Sequence, residues 1–409
     1  MTVGDKGDNT ALTGDLSMGD TRCACEAGAS NPAAIHTSIL GGGSSDGDSL
    51  SVIIPAYNAE RWIERCLESA LHCSSHPLEV ICVDDGSTDG TWTVMSAFAE
   101  NDARVKLVRQ SNQGRCVARN AGLAVASGEW VVFLDADDML IPGSVDAVLG
   151  VSGSDVPLIC TLGTYALGAV DEEPVHRASG MAVLNAGVAL RFLQAPAEIA
   201  QSLSDGSAER QTLQAYDPIW CQSSCTKLIR RSLITSGSVA FEQGLKYGED
   251  ILFLHDLLTS ADFDVQFVPV TTHWCDNSTP GTTRTYREGD ISALRRTFAA
   301  WDSRRLDGEA RDYAAWRCVA DALCISMMAA VFLPAPRAKS EISELFEDDH
   351  LAAFCERVPQ SKLRNMGTVV WRFWSSAFDR LKASDENGYW RSVSRLAAMK
   401  KILLRFSRP

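Results

Sequence analysis

Between residues 50 and 140 the chain alternates short apolar runs with stretches whose apolar side chains recur at helical spacing. Glycine, proline or acidic turn formers bound the runs, so we predict that they are strands. The first intervening stretch places Ile63, Leu67 and Leu71 on one face, which is typical of an amphipathic helix. The predicted strands are LSVIIPAYN, LEVICVDD, VKLVRQ and WVVFLDADD. Apolar strands that alternate with helices predict an α/β fold with a mostly parallel sheet flanked by helices.

Three short segments with candidate ligand-binding side chains stand where three of these strands end. They are Pro55-Ala56-Tyr57, Asp84-Asp85 and Asp135-Ala136-Asp137. Ligands of open parallel sheets bind beyond the carboxyl ends of the strands. We therefore expect the three segments to line one crevice.

Asp135 and Asp137 are two positions apart, so an extended backbone would place both carboxylates on one face. Close carboxylates repel each other unless a cation lies near them. Oxygen ligands in an open site suit Mg²⁺ or Mn²⁺, which keep coordination positions for phosphate oxygens. The alternative is a polar loop of capping aspartates, because Asp is common where strands end.

The rest of the chain has a different character. Residues 1–48 are rich in Gly, Ser, Asp and Ala and nearly free of aromatic residues, so we predict a disordered tail. The α/β domain is predicted over 49–287, and helical spacing predicts a helical C-terminal region over 288–409. Residues 361–409 hold eleven Lys or Arg against three Asp or Glu, with aromatic residues interleaved. Such a basic amphipathic stretch suits an anionic membrane surface, and packing against the catalytic domain is the alternative.

Composition narrows the function classes. A net charge of −14 gives no electrostatic basis for binding nucleic acid. The thirteen cysteines are scattered and contain no CxxC pair, so we expect reduced core thiols and a cytoplasmic location, at the inner face of the membrane if the basic region binds lipid. No apolar run reaches the ~18 residues of a membrane span, and the N-terminus lacks the apolar segment of a secretory signal.

Two nucleotide-binding classes are excluded by their motifs. A dinucleotide dehydrogenase would carry GxGxxG after its first strand, where this chain has PAYNAE. A P-loop protein would carry GKS or GKT, and neither occurs.

Four segments in order resemble the family 2 glycosyltransferases of the GT-A fold. They are SVIIPAYNAERWIERCLESAL, EVICVDDGSTDGT, NQGRCVARNAGLAVASGEWVVFLDADD and GEDILFLHDLL. The resemblance covers about residues 50 to 275. It implies a GT-A sheet, a nucleotide-sugar donor and a divalent cation.

The resemblance also implies roles for individual residues. Asp84 or Asp85 would bind the base, Arg119 would approach the nucleotide or order the acidic cluster from Asp135 to Asp138, and Asp137 would hold Mn²⁺ or Mg²⁺ on the diphosphate. Asp138 would order the loop. The implied catalytic base is Asp250, with Glu249 as its rival. The other implied nucleotide-sugar contacts are Pro55, Ala56, Tyr57, Asp135 and Ala136.

Contacts to acceptor or diphosphate are expected from four further side chains. Trp220 could stack on a sugar face or fill the core. Lys227 and Arg230 could face diphosphate or acceptor, or could be solvated surface charges. His273 could bind diphosphate or metal, although a single His is more often structural.

By resemblance, the protein is an inverting glycosyltransferase that moves a sugar from a nucleotide sugar, typically a UDP-sugar, to a hydroxyl of a cell-surface glycan or lipid-linked acceptor. Two alternatives stay open. One is a sugar-nucleotide nucleotidyltransferase, although the glycine-rich basic loop of that class is missing after the first strand. The other is an inactive scaffold that only binds sugar nucleotides.

Overall fold

The structure is a computed structural model, and it describes most of the chain from Asp48 onward. The described residues are 48–152, 156–166, 181–194, 207–214, 216, 222–276, 286–306, 308–358 and 368–406, with the isolated positions 202 and 205. The tail predicted to be disordered and Trp220 lie outside them.

Nine strands and fourteen α-helices are found in the described residues. The strands are β1 Leu50–Ala56, β2 Leu78–Asp85, β3 Val105–Gln110, β4 Trp130–Phe133, β5 Met139–Leu140, β6 Leu158–Ala166, β7 Ala182–Asn185, β8 Lys227–Arg230 and β9 Asp264–Asp276. The helices that accompany them are α1 Ile63–Leu71, α2 Thr91–Asn101, α3 Arg115–Val125, α4 Ser144–Leu149, α5 Ala186–Gln194, α6 Ala208–Gln214, α7 Arg231–Ser236 and α8 Glu249–Thr259.

The strands form one mixed sheet in the order β3-β2-β1-β4-β8-β6-β9-β5, and β7 also pairs with β9. Strands β1 to β4 are parallel to one another, which confirms the parallel unit predicted from the apolar runs. Beyond β4 the pairing changes, because β8 runs antiparallel to both β4 and β6. The α/β class is confirmed, and in the described residues the sheet has as many antiparallel as parallel pairings.

Both faces of the parallel unit are covered. Alternate side chains of β1 enter different cores, with Ile53 in one and Val52 and Ile54 in the other. All three are completely buried, and burial of each is worth about 1.5–3 kcal/mol. Helix α3 approaches β1 closely at Gly122, where an added Cβ would lie 2.4 Å from the Cγ2 of Ile53. Any larger residue there would push α3 away from the sheet.

The C-terminal region is helical, as predicted. Its elements are α9 Asp290–Ser303, α10 Gly308–Phe332, α11 Ala335–Ser343, a 3₁₀ turn Glu344–Glu347, α12 Asp349–Cys355, α13 Thr368–Lys382 and α14 Glu386–Phe406. One face of the last two helices is core, since Phe378, Tyr389 and Val393 are buried. The Tyr389 hydroxyl and the Ser326 Oγ are hydrogen-bonded at 2.9 Å, which ties α14 to α10.

The expectation that no segment would qualify as a membrane span needs correction. Helix α10 is 25 residues long and has a window of mean hydropathy 1.5, so its length and composition would suffice. Arg317 and Asp321 interrupt its apolar run but pair with each other at 3.0 Å. Half of that window is buried within the protein, and a core helix passes the same test, so α10 is weak evidence for a span.

The expected position of the cysteines in the core holds for most of the described ones. All ten of them are free thiols, and eight are buried. Cys275 and Cys324 are the two that are partly exposed.

Candidate active site

The segments that follow β1 and β2 are held together by side-chain caps. The Asn58 carbonyl oxygen Oδ1 accepts a hydrogen bond from the Thr88 amide at 2.8 Å, and the Ala59 amide donates to Thr91 Oγ1 at 2.7 Å. Asn58 has a φ of +50°, a left-handed conformation that Asn tolerates better than most residues. Tyr57 precedes this turn and is 49% exposed, so its ring is available to a ligand. Pro55 and Ala56 form the end of β1 beneath it.

Asp84 and Asp85 differ in what they bind. Both oxygens of Asp85 accept hydrogen bonds, and the donors are the Gln110 side chain and the amides of Gln113 and Gly114 at 2.7–2.8 Å. Asp85 therefore shapes the loop that enters α3. Asp84 Oδ1 caps the Ser87 amide, while Oδ2 lies 3.1 Å from the Arg109 Nε and accepts no hydrogen bond among the described residues. This second oxygen of Asp84 is buried beside Arg109, so Asp84 differs from Asp85 in keeping one oxygen that no hydrogen bond uses.

Arg119 on α3 is the centre of the acidic site. Its Nη2 donates to Asp135 Oδ1 at 2.8 Å, and its Nη1 donates to Asp250 Oδ1 at 2.8 Å. The guanidinium lies 5.0 Å from the centre of the Phe241 ring, which is a stabilising cation–π contact. The Arg119 side chain is only 2% exposed, whereas Asp135 is 43% and Asp250 24% exposed. A buried cation thus presents two carboxylates to an open surface.

The charges of this cluster shift one another's ionisation. Burial alone would lower the pKa of Arg119, but Asp250 and Asp135 outweigh it and raise that pKa well above its usual value. Burial opposes ionisation of Asp135, yet Arg119 and then Arg115 hold the pKa of Asp135 below its usual value. Both groups are therefore charged at neutral pH.

Glu249 and Asp250 open helix α8 but play different parts. Glu249 is 8% exposed, and its Oε1 pairs with the Arg115 Nε at 2.5 Å. Burial raises the pKa of Glu249 although Arg115 opposes the shift. Asp250 is more open and accepts a second hydrogen bond, from Ser224 Oγ at 2.9 Å. Asp250 is thus better placed than Glu249 to reach an acceptor hydroxyl.

The turn from Asp135 to Asp138 follows β4 and is closed by the Asp138 amide, which donates to the Asp135 carbonyl at 3.0 Å. Ala136 within it is buried. Asp138 accepts hydrogen bonds from the Asp276 amide and the Cys275 thiol, both at 3.1 Å. Burial, then Asp135 and Asp137, raise the pKa of Asp138 to about 7. Asp138 therefore orders the loop, as expected.

Arg65 of α1 supports the same turn from outside. Its Nη2 donates to the Asp137 carbonyl at 2.9 Å and to Asp276 Oδ2 at 2.5 Å. Its guanidinium also lies 5.8 Å from the Trp274 ring centre. The backbone of Asp137 is thereby attached to the end of β9.

A divalent cation of the kind the GT-A fold implies fits this turn as a shared site. No group of three or more His, Cys, Asp or Glu side chains among the described residues could hold a metal by itself. Mg²⁺ and Mn²⁺ sites that also bind phosphates commonly use only one or two carboxylates. Asp137 is partly exposed beside Asp135, and the crowding of negative charge that raises the pKa of Asp138 would be relieved by a cation.

Lys227 and Arg230, two of the side chains expected to contact acceptor or diphosphate, bind other parts of the protein. Lys227 is completely buried, and its Nζ donates to the Ser223 carbonyl and Thr226 Oγ1 at 3.0 Å, so it holds its own segment. Of the two alternatives for Arg230, the structure favours a charge on the surface of the protein. Arg230 pairs with Glu129 and opposes Trp130, the first residue of β4. Asp135 lies five residues further on, roughly 16 Å away along an extended chain.

His273 is also engaged in structure. It is 1% exposed, its Nε2 contacts the Phe133 carbonyl at 3.3 Å, and its Nδ1 lies 2.8 Å from Thr272 Oγ1. Burial lowers the pKa of His273 to about 4, so the ring is neutral at pH 7. A neutral ring with both nitrogens in use has no position left for a metal or a diphosphate.

Two residues of the acidic site, Arg115 and Ser224, were not predicted from the sequence. Arg115 is four positions before Arg119 on α3, and this spacing places both guanidinium groups on one helix face, so it could have been found. Ser224 stands in QSSC, which has no distinctive pattern. Its role is visible only because β8 places it against α8.

A separate depression of about 620 Å³ is lined by residues 237–243 with Asp256, Thr259, Ser260 and Arg304. It lies beside the C-terminal end of α8, whereas Asp250 lies at the other end of this helix, about 15 Å away. Both Asp256 and Glu242 pair with Arg304 there, so it is not part of the acidic site.

Comparison with known proteins shows which family these motifs are similar to. The model of the family described as Glycosyl transferase family 2 matches residues 51–236. An uncharacterized glycosyltransferase YibD of Escherichia coli is 42% identical over 106 residues, which cover 26% of this chain and 31% of that protein. The chondroitin synthase of Escherichia coli is 38% identical over 115 residues, which cover 28% of this chain and 17% of the relative. The chain thus spans less than a third of the length of either relative.

A solved structure extends the likeness to the fold. The S. aureus TarS 1–349 structure in complex with UDP aligns with a TM-score of 0.56 over 86% of this chain and 92% of that one, at 18% identity. The predicted GT-A fold is confirmed, and the likeness includes part of the C-terminal helices.

Proposed function

Because residues 51–236 match the model of glycosyltransferase family 2, we propose that the protein transfers a sugar from a nucleotide-sugar donor to a hydroxyl group of a growing polysaccharide. The named relatives that synthesise chondroitin support a polysaccharide product. The UDP complex of TarS supports a UDP-sugar as donor.

The observation that carries this proposal is the bridge made by Arg119. One buried guanidinium binds Asp135, at the end of β4, and Asp250, at the start of α8. The first carboxylate belongs to the segment expected to bind the donor, and the second is the candidate base. A donor sugar and an acceptor hydroxyl held at these two groups would meet in one small space, which is the main requirement of a transfer reaction.

In the proposed reaction Asp250 accepts the proton of the acceptor hydroxyl while its oxygen attacks the anomeric carbon. The hydrogen bonds from Arg119 and Ser224 both reach Oδ1, so they orient the carboxylate toward the acceptor. The bond between the anomeric carbon and the diphosphate breaks on the opposite face. A single displacement of this kind inverts the anomeric centre.

On the donor side, Tyr57 and Asp84 would contact the nucleoside, and Asp135 and Asp137 would face the ribose and diphosphate. When bound at Asp137, Mn²⁺ or Mg²⁺ would supply Lewis-acid stabilisation of the leaving diphosphate. The positive charge of Arg119 is fully committed to carboxylates in the described structure, so it orders the acids rather than the phosphates.

We also propose a peripheral contact with anionic membrane through the basic C-terminal region, on the cytoplasmic side where lipid-linked acceptors would be met. Arg391 and Arg395 are one helical turn apart on α14 and exposed, while Tyr389 and Val393 of the same helix are buried. Packing and lipid contact can therefore use opposite faces of α14.

Donor binding and turnover test the proposed function. We expect UDP-sugars with Mn²⁺ to raise the melting temperature, since a ligand at ~100 times its dissociation constant adds about 2.7 kcal/mol of stability. Asp250→Asn should bind UDP and Mn²⁺ like the wild type but lose transfer by ~100-fold or more, because the base acts on the acceptor. UDP release from UDP-N-acetylglucosamine with and without oligosaccharide acceptors measures the transfer.

Glu249→Gln is the matched comparison. If that variant loses transfer and Asp250→Asn keeps it, Glu249 is the base. Binding with no turnover in any acceptor screen would indicate a scaffold, and consumption of nucleoside triphosphate would indicate a nucleotidyltransferase.

A further inference from the structure

The residues that hold Asp250 do not all come from the matched segment. Residues 244–248 lead directly into α8, and Gly248 before the helix has a φ of +70°, a conformation that favours glycine. Glu249 and Asp250 are the first two residues of α8. The path of this short loop therefore determines the positions of both carboxylates.

Helix α9 of the C-terminal region contacts the loop of residues 244–248 through two hydrogen bonds and an ion pair. Thr297 Oγ1 donates to the Tyr247 carbonyl at 2.8 Å, and Arg296 Nε donates to the Gly244 carbonyl at 2.9 Å. Asp290 pairs with Lys246. Thr297 is 1% exposed, so its hydrogen bond is shielded from water, and its Cγ2 would lie 3.2 Å from a Cβ added at Gly248.

The opposite side of the loop is held by the catalytic domain. Arg115 Nη2 donates to the Lys246 carbonyl, and its Nε pairs with Glu249 at 2.5 Å. The loop is therefore fastened on one side by α3, which also carries Arg119, and on the other side by α9.

Helix α10, also in the C-terminal region, contacts the segment that carries Ser224, a hydrogen-bond partner of Asp250. Arg317 of α10 donates to Gln222 Oε1 at 3.0 Å, and Gln222 is two residues before Ser224, which donates to Asp250. Arg317 itself is oriented by Asp321 at 3.0 Å.

From these contacts we infer that the C-terminal helices α9 and α10 position the base Asp250, and that Thr297 is a positioning residue for the transfer reaction. This inference rests on the proposed function, with Asp250 as the base. Its physical basis is that proton transfer depends on the carboxylate lying within hydrogen-bond distance of the hydroxyl, so a small displacement of the loop slows the reaction. The donor side should change less, because Asp84, Asp135 and Asp137 lie on other elements and only Asp135 shares a partner, Arg119, with Asp250.

Thr297→Val in the full chain tests this, because it removes the hydroxyl and keeps the shape. We expect kcat for UDP release from UDP-N-acetylglucosamine to fall by ~10-fold or more, while KM for the donor and the dissociation constant of UDP with Mn²⁺ stay within about twofold of the wild type. Thr297→Ser, which restores the donor group, should recover most of the rate. Thr212→Val is the matched control, since Thr212 is also fully buried and its hydroxyl makes no hydrogen bond among the described residues.

Hydrogen exchange provides a readout that does not depend on turnover. Amides of residues 244–252 should exchange faster in Thr297→Val and at the wild-type rate in Thr297→Ser and Thr212→Val. An unchanged kcat and unchanged exchange in Thr297→Val would overturn the inference, and so would an equal loss of UDP affinity or a failure of Thr297→Ser to recover. If the wild type shows no turnover, the proposed function fails, and the exchange rates still decide whether Thr297 holds the loop.

Discussion

At the scale of single residues, neighbouring acids in this site have separate tasks because their partners differ. Asp85 caps the loop before α3, whereas Asp84 keeps one oxygen without a hydrogen bond in the described structure. Asp138 binds the end of β9, while Asp137 is held through its backbone carbonyl by Arg65. Asp85 and Asp138 therefore build the site, and Asp84 and Asp137 are the candidates for contact with a ligand.

Asp137→Asn tests this division. The amide is similar in size but carries no charge, so we expect the affinity for Mn²⁺ in the presence of UDP to fall by more than ~10-fold. The fold should be kept, because the contact to Arg65 uses the backbone carbonyl. Titration calorimetry of UDP with and without Mn²⁺ measures the effect.

Asp379→Asn, at an exposed position of α13, is the control for removing one negative charge. Wild-type Mn²⁺ dependence in Asp137→Asn would show that the cation is held elsewhere.

At the scale of elements, β9 connects the centre of the sheet with the acidic turn. His273 contacts the Phe133 carbonyl at the end of β4, and Asp276 binds both Arg65 and the side chain of Asp138. The strand thus holds the acidic turn through contacts to β4, to Arg65 and to Asp138.

The buried ring of His273 predicts a defined pH dependence of stability. Burial lowers its pKa to about 4 in the folded protein, whereas an unfolded His has a pKa of about 6.5. Below pH ~6.5 the unfolded chain therefore binds a proton that the folded ring excludes, so stability falls with decreasing pH. Between pH 7.5 and 5 we expect this group to cost about 2 kcal/mol.

Urea unfolding of the wild type and His273→Asn at both pH values measures this cost. The advantage of the wild type should shrink by about 2 kcal/mol at pH 5, because Asn does not titrate. An equal loss of stability in both proteins would show that His273 is not held neutral.

At the scale of the whole molecule, charge is unevenly distributed, with a basic C-terminus in a chain of net charge −14. Helices α13 and α14 pack one face into the core, so removing the chain from residue 361 would delete Phe378 and Tyr389 and expose the core residues that they cover. A test of membrane contact should therefore change surface charges and keep the helices.

For Arg391→Gln/Arg395→Gln we expect binding to phosphatidylserine vesicles to weaken by ~10–30-fold, since each basic residue near such a surface contributes about 1 kcal/mol. The effect should diminish in 0.5 M salt, because exposed charges are screened over roughly 4 Å there and over about 10 Å at 0.1 M. Vesicle sedimentation measures it.

Arg191→Gln/Arg305→Gln removes two exposed arginines from other parts of the chain and is the control. Equal losses in both double variants, or no sedimentation of the wild type at low salt, would rule out a specific contact through α14.

The sequence alone predicted the parallel unit, its helices and the polar strand ends, because these depend on local periodicity. Strands β1, β2 and β4 are largely apolar, and β1 to β4 connect through single helices, so their order leaves few alternatives. The acids at Asp84, Asp135 and Asp137 were found for the same reason, since each ends an apolar run. Most of the candidate site on the donor side could therefore be predicted.

Tertiary structure decided the rest, because it depends on pairing between distant segments. Arg119 meets Asp250 across 131 residues, and Ser224 reaches Asp250 only through the placement of β8 beside β4 and β6. Lys227, Arg230 and His273 had the chemistry of ligands, but the register of β8 and β9 turned them into internal contacts or placed them at the far end of the sheet. Whether a polar side chain faces a ligand or the core is set by strand register, and one sequence read locally does not contain it.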